Sequence, residues 1–230
     1  MFKIITTVLF TALFSLSAFA AQLIDRDSAA NTALKKAEGK VTKLELEEEG
    51  GMLVYEIKIL DLQGFSHQID INALTGDMVG YKADKMPTDL AVTLNGAKLS
   101  YREAEKIATD NQKNTRAIDT DLWSGKSHPT YRIKLLDKDG IKYSAEIDAV
   151  DGAVLLLRQD GAFRVTPSVS AADAEKAALK TINGEIIYTV LDNDGGKLLY
   201  EIDMLSKDGR LYEVKVDAVT GAVLKAKIND

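Results

Sequence analysis

Carboxylates recur at one fixed place in this sequence of 230 residues: Asp148 stands four residues ahead of Gly152, and Asp217 stands four ahead of Gly221. An aspartate held at a turn could serve as a general acid or base. The corresponding place before Gly76 is taken by Asn72, whose amide cannot shuttle a proton, whereas all three side chains can accept backbone N–H groups within a turn. The pattern therefore predicts turn structure rather than catalysis. His67 falls twelve residues after Tyr55, a position filled by Tyr143 and Tyr212 elsewhere, and is expected to replace an aromatic ring at the edge of the core. His128 precedes Pro129 in a connecting segment and has no evident partner. Asp192-Asn193-Asp194-Gly195, with Glu201 beyond, partly mimics a calcium loop. Its first ligand position is Val190 and strand alternation follows, so a hairpin turn is expected instead. Asp137–Glu146 fails the same test at Leu135. Glu45, Glu47, Glu48 and Glu49 read as a solvated strand edge and turn, where charge discourages strand-to-strand aggregation.

Trp123 has no counterpart in the repeated pattern and lies in Ile118–Pro129, which reads as a connecting loop or hairpin tip. It is the single residue nominated as a contact with a partner, because aromatic side chains dominate binding surfaces. No catalytic, cofactor-binding or metal-ligating residue is nominated. The chain contains no cysteine and two histidines, which excludes disulfides, thiol nucleophiles and cysteine-ligated metals and disfavours a histidine-rich metal site. Nucleophile elbows, His-Glu-x-x-His helices, phosphate loops and dinucleotide fingerprints do not occur. A formal net charge of −6 argues against nucleic acid and anionic membranes as partners.

Those residues must be held by something, and the chain repeats the something three times. Tyr55, Tyr131 and Tyr200 each precede a glycine by nine residues (Gly64, Gly140, Gly209), the Asn or Asp by 17, and a second glycine by 21. Each unit opens with a helix signal: Ser28 ahead of an alanine-rich stretch, Ser100-Tyr101-Arg102-Glu103 as a capping box, and Ser170-Ala171-Ala172-Asp173 as its shorter-armed form. Period-two strands follow, with Leu53, Tyr55, Ile57 and Ile59 on one face, and likewise Tyr131, Ile133 and Leu135, or Leu198, Tyr200, Ile202 and Met204. The predicted fold class is α+β, with three repeated units, each a helix packed on a small antiparallel β-meander. Units of about 60 residues are marginal alone, so neighbours are expected to pack or share edges.

Ahead of the repeats, Met1–Ala20 carries Lys3, an apolar run from Ile4 to Leu16, and Ala18-Phe19-Ala20. That is the form of a secretory signal peptide, with cleavage expected after Ala20. The apolar run is too short for a membrane span. The expected division is 1–20 signal peptide, 21–83 first unit, 84–98 linker, 99–158 second unit, 159–168 linker and 169–230 third unit.

The Tyr-Glu-Ile start, the glycine nine residues on and the closing Asp-Ala-x-Thr-Gly-x-Val resemble the PepSY domain. The third unit matches best, with Tyr200-Glu201-Ile202 and Asp217–Val223. The second departs at Arg132 and Asp151, and the first at Asn72, Leu74 and Asp77. PepSY domains accompany the propeptides of thermolysin-like secreted metallopeptidases, where they help keep the peptidase inactive, and many exported or membrane-associated bacterial proteins. The resemblance implies a bacterial extracytoplasmic, periplasmic or secreted module that binds another polypeptide, restraining a peptidase or modulating an envelope sensor. It implies no enzymatic activity and no cofactor. The alternative of another class is a periplasmic protein binding a small ligand or divalent cation in clefts between units.

Overall fold

The computed structural model describes residues 23–125, 128–161 and 166–228; the expected signal peptide lies outside them. The fold is mixed α+β, with antiparallel sheets and, among the described residues, four helices. In chain order the elements are α1 (Arg26–Lys36), β1 (Lys40–Glu49), β2 (Met52–Leu60), β3 (Phe65–Asn72), β4 (Met78–Lys85), α2 (Thr88–Asn95), α3 (Tyr101–Asn111), β5 (Thr115–Trp123), β6 (Thr130–Asp137), β7 (Lys142–Asp148), β8 (Val154–Gln159), α4 (Ala171–Thr181), β9 (Gly184–Asp194), β10 (Lys197–Ser206), β11 (Leu211–Asp217) and β12 (Val223–Ile228). No helix among the described residues is long and apolar enough to cross a membrane.

Alanine lets three helices lie close on the strands. α1 buries Ala29, Ala30 and Ala33, α3 buries Ala104 and Ala108, and α4 buries Ala174 and Ala178. Ser100 forms the expected capping box with Glu103, and Ser170 accepts from the Asp173 N–H. At α1 the cap is Asp25, not Ser28: its carboxylate accepts the Ser28 N–H at 2.8 Å. An ionised carboxylate at a helix N-terminus is favoured by the exposed N–H groups as well as by the dipole.

The strands do not form three separate small sheets. β1 and β5 pair antiparallel, with Leu44 opposite Thr120, and fuse eight strands into one sheet ordered β4-β3-β2-β1-β5-β6-β7-β8. The remaining four form a second sheet, β12-β11-β10-β9. The seam is reinforced across its helical face. Arg26 donates to the carbonyls of Ile118 (2.8 Å) and Leu44 (2.9 Å) and pairs with Glu105 at 2.9 Å. Asp27 accepts from the Tyr101 hydroxyl and from Arg102, each at 2.7 Å.

Two segments read from the sequence as connections are partly structured. Ile118–Trp123 belongs to β5, and the 84–98 stretch holds the end of β4 and all of α2. The Lys40 ammonium donates to the Ala97 carbonyl and to that of Asn95, at the C-terminal end of α2. At the junction with the second sheet, the Gly140 carbonyl accepts the Leu191 N–H at 2.8 Å. A Cβ on Gly140 would come within 3.0 Å of that nitrogen, and its φ is +81°, so the turn can approach β9 this closely only as glycine.

Candidate functional site

The repeated residues knit each unit together. The hydroxyls of Tyr55, Tyr131 and Tyr200 donate to the carbonyls of Ile24 (2.9 Å), Leu99 (3.0 Å) and Val169 (2.9 Å), in each case the residue just before a helix cap. Asn72 Oδ1 accepts from Leu74 and Thr75, Asp148 Oδ1 from Val150 and Asp151, and Asp217 Oδ1 from Val219 and Thr220. The two backbone N–H groups on Asp217 hold its carboxyl below the usual range. One tyrosine and one turn thus clamp the entry of each helix to the sheet, and no catalytic arrangement emerges from the motif.

The histidines find partners that the sequence did not reveal. His67 Nε2 lies 3.0 Å from Asp61 Oδ2, while Nδ1 lies 3.0 Å from the Tyr81 hydroxyl. Tyr143 reaches Asp137 in the same way at 3.2 Å, so His67 occupies an aromatic position and keeps its hydrogen bond. His128 Nδ1 lies 2.7 Å from the buried Asp148. The Asp192–Gly195 segment is the end of β9 and its turn into β10. No group of three or more His, Cys, Asp or Glu among the described residues has the geometry of a metal site.

The sheet face away from the helices is charged and built of cross-strand pairs. Lys43 reaches Glu56 at 2.7 Å, Arg132 reaches Glu146 at 3.3 Å, and Lys215 reaches Glu201 at 2.6 Å. Where this face meets the second sheet lies a cleft of about 530 Å³, lined by Glu45, Asp119, Lys134, Lys142, Asp160 and Asp192 among others. Burial, with the charges of Glu45 and Asp121 adding to it, pushes Asp119 up to about 6. Its buried Oδ1 has no hydrogen-bond partner among the described residues. Trp123, at the end of β5, is also on this sheet: the Arg132 guanidinium lies 3.4 Å from its ring centroid.

The outer edges are of another kind. β4 and β8 end the large sheet and β12 ends the small one, so each pairs on one side alone. Each carries exposed apolar side chains at the same places in the repeat: Met78 and Val79, Val154 and Leu155, Val223 and Leu224. Val79 is 47% exposed, Leu155 52% and Leu224 49%. An unpaired strand with exposed apolar side chains is a ready template for another strand. The sequence pointed to exposed meander edges and to clefts between units in general terms, but named no residue of β4, β8 or β12 and not Asp119. The edges were readable in part, because Val79, Leu155 and Leu224 each lie 24 residues after the repeated tyrosine.

The chain matches the family described as peptidase propeptide and YPEB domain at residues 23–82, 98–157 and 168–227. An uncharacterized Bacillus subtilis protein, YkoJ, is 31% identical over 134 residues, which are 57% of this chain and 76% of the relative. Among solved structures, a Clostridium difficile protein described as a lipoprotein shares 26% identity, covering 58% of this chain and 95% of that one, with a TM-score of 0.30. The Bacillus megaterium YpeB C-terminal domain shares 13% identity, covering 91% and 99%, with a TM-score of 0.31. Since the three matches take in most of the chain and hold every repeated Tyr, Asp or Asn and Gly described above, the protein belongs to the PepSY family.

Proposed function

We propose that this is an exported, non-catalytic protein of three helix-on-meander units that binds another polypeptide by adding a strand to its outer edges. The observation that carries the reading is the recurrence of an unpaired, apolar-bearing edge at β4, β8 and β12. Strand addition draws affinity from main-chain hydrogen bonds and selectivity from alternate side chains, and suits extended or unfolded segments. The signal-peptide pattern of Met1–Ala20 supports an extracytoplasmic setting. The family supports a peptidase-related partner: a peptidase under restraint, or the external domain of an envelope sensor. Trp123 contributes a secondary contact on the open face.

Amide hydrogen exchange tests this reading. A permanently unfolded polypeptide, such as reduced and carboxymethylated ribonuclease, should slow exchange in 78–85, 154–159 and 223–228. Slowing confined to the helices, or none, would overturn it. Trp123 is the single tryptophan of the chain, so its fluorescence reports separately whether the open face is covered.

The Asp119 cleft favours a second reading, in which a small ligand or cation binds between the sheets. Calorimetry with calcium and other divalent ions should then release heat that the Asp119→Asn variant lacks, and flat titrations would remove this reading.

A further inference from the structure

The register of the three outer edges specifies more than a readiness to pair. Residues directly opposite on neighbouring strands share a face of the sheet. Tyr81 stands opposite the fully buried Ile69, Leu157 opposite the buried Ala145, and Ala226 opposite the fully buried Val214. Met78, Val154 and Val223 stand opposite the fully buried Ile71, Ile147 and Val216 on the same side, with Val79, Leu155 and Leu224 as the extra residues of the bulges between, so Tyr81, Leu157 and Ala226 continue an apolar row along the helical side of each edge. The next residue in each strand is basic: Lys82, Arg158 and Lys227, each 27 residues after the repeated tyrosine. They stand opposite Gln68, Ser144 and Glu213, on the open face.

On that face the sheet satisfies its cations by reaching an acid on the adjoining strand, as Lys43 does with Glu56 and Lys215 with Glu201. At the edges the rows end on a cation with no further strand to supply the acid. Lys58-Gln68-Lys82 ends so, as do Lys134-Ser144-Arg158 and Glu201-Lys215-Lys225. Neither Lys82, Arg158 nor Lys225 has an ion-pair partner within 4 Å among the described residues, and Lys227 has one, Glu213, at 3.6 Å. The chain as a whole is acidic, at −6, whereas β4 carries Lys82 and Lys85 against Asp84, β8 carries Arg158, and β12 carries Lys225 and Lys227, so each edge strand is a local reversal of its charge.

From this geometry we infer that the outer edges select an extended segment in which apolar and acidic side chains alternate, the apolar ones facing the helical side and the acids meeting Lys82, Arg158 or Lys227. The inference rests on the strand-addition reading and names its partner's chemistry. The seam within the chain shows that such an edge takes up an alternating strand, with Leu44 of β1 opposite the buried Thr120, although there the charge order is the reverse, Lys43 facing Asp121 and Glu45 facing Asp119. Pairing of β12 with β12 of a second copy is disfavoured, because Lys225 and Lys227 are its open-face residues and like charges opposed across strands repel.

The test is an NMR titration of the isotope-labelled mature chain, residues 21–230, with two blocked eight-residue peptides. One alternates valine with glutamate and the other alternates valine with lysine. The acidic peptide should shift the amides of 78–85, 154–159 and 223–228 and bind about fivefold more tightly than the basic one. The triple variant K82E/R158E/K227E should reverse that preference, and since all three side chains lie on edge strands its unchanged spectrum elsewhere verifies the fold. Equal binding of both peptides at the edges, or preference for the basic one, overturns the acidic-partner rule and leaves strand addition standing. If neither peptide perturbs any edge at millimolar concentration, strand addition falls with it.

Discussion

Tyr200 and Asp217 do at the third unit what Tyr131 and Asp148, or Tyr55 and Asn72, do at the others, and single substitutions should show it. Tyr200→Phe leaves the Val169 carbonyl without the hydroxyl that now donates to it at 2.9 Å, and should cost about 1 kcal/mol in urea unfolding. Asp217→Asn should be nearly neutral, because Asn72 makes the same turn bonds without charge, whereas Asp217→Ala, which removes both turn bonds, should lower the urea midpoint. A proton-transfer role would instead make the amide and alanine variants equally defective in activity, whatever their stability. Asp119 behaves differently. Its folded carboxyl titrates at about 6, above its ordinary value of 3.8. The folded chain therefore holds a proton that the unfolded chain has lost between about pH 4 and 6, and this group removes stability as pH rises through that window. Asp119→Asn should match the parent near pH 3.5 and exceed it by about 1 kcal/mol at pH 7, with solvent screening included. A stability difference that stays flat from pH 3.5 to 7 would contradict the assignment.

At the scale of elements, the β1–β5 seam depends on one side chain more than on its short register. Arg26 bridges Leu44, Ile118 and Glu105, and the Thr120 hydroxyl shares the same carboxylate. Arg26→Ala should strand a largely buried Glu105 and cost about 2–3 kcal/mol, read as an earlier melting transition. Much of this layer was legible beforehand. The helix caps at Ser100 and Ser170, the strands around Tyr55, Tyr131 and Tyr200, and the glycine turns all follow from spacing and residue type. The first strand of each unit was legible only in part, at the Glu45–Glu49 end of β1, and the reason is geometric. Register shifts fall at Thr42 in β1, at Ile118 in β5 and at Ile187 in β9, each 13 residues before the repeated tyrosine. A bulge inserts a residue and interrupts the period of two on which strand recognition depends. Trp123 thereby read as a loop residue although it closes a strand. Asp25 escaped notice as a cap because Ser28, three residues later, is an equally good capping type.

For the whole molecule, the repeat was plain in the sequence and the unequal use of its copies was not. The first two units share one sheet through their opening strands, while the third packs β9 against the Gly140 turn and sends Leu205 and Leu211 to the core of the other two. Those contacts join residues far apart in the chain, which periodicity cannot show. The outer edges survive in all three units, and they are where the account places partner binding. Site-specific photo-crosslinking in the native envelope tests that claim most directly, with a photoreactive residue placed in turn at Val79, Leu155, Leu224 and, as an exposed apolar control on α2, Val92. The account predicts covalent polypeptide adducts from the three edge positions, shared between them and abolished by a strand-breaking proline in the same edge, with none from Val92. Adducts from Val92 with the edge positions silent would place binding elsewhere and contradict it.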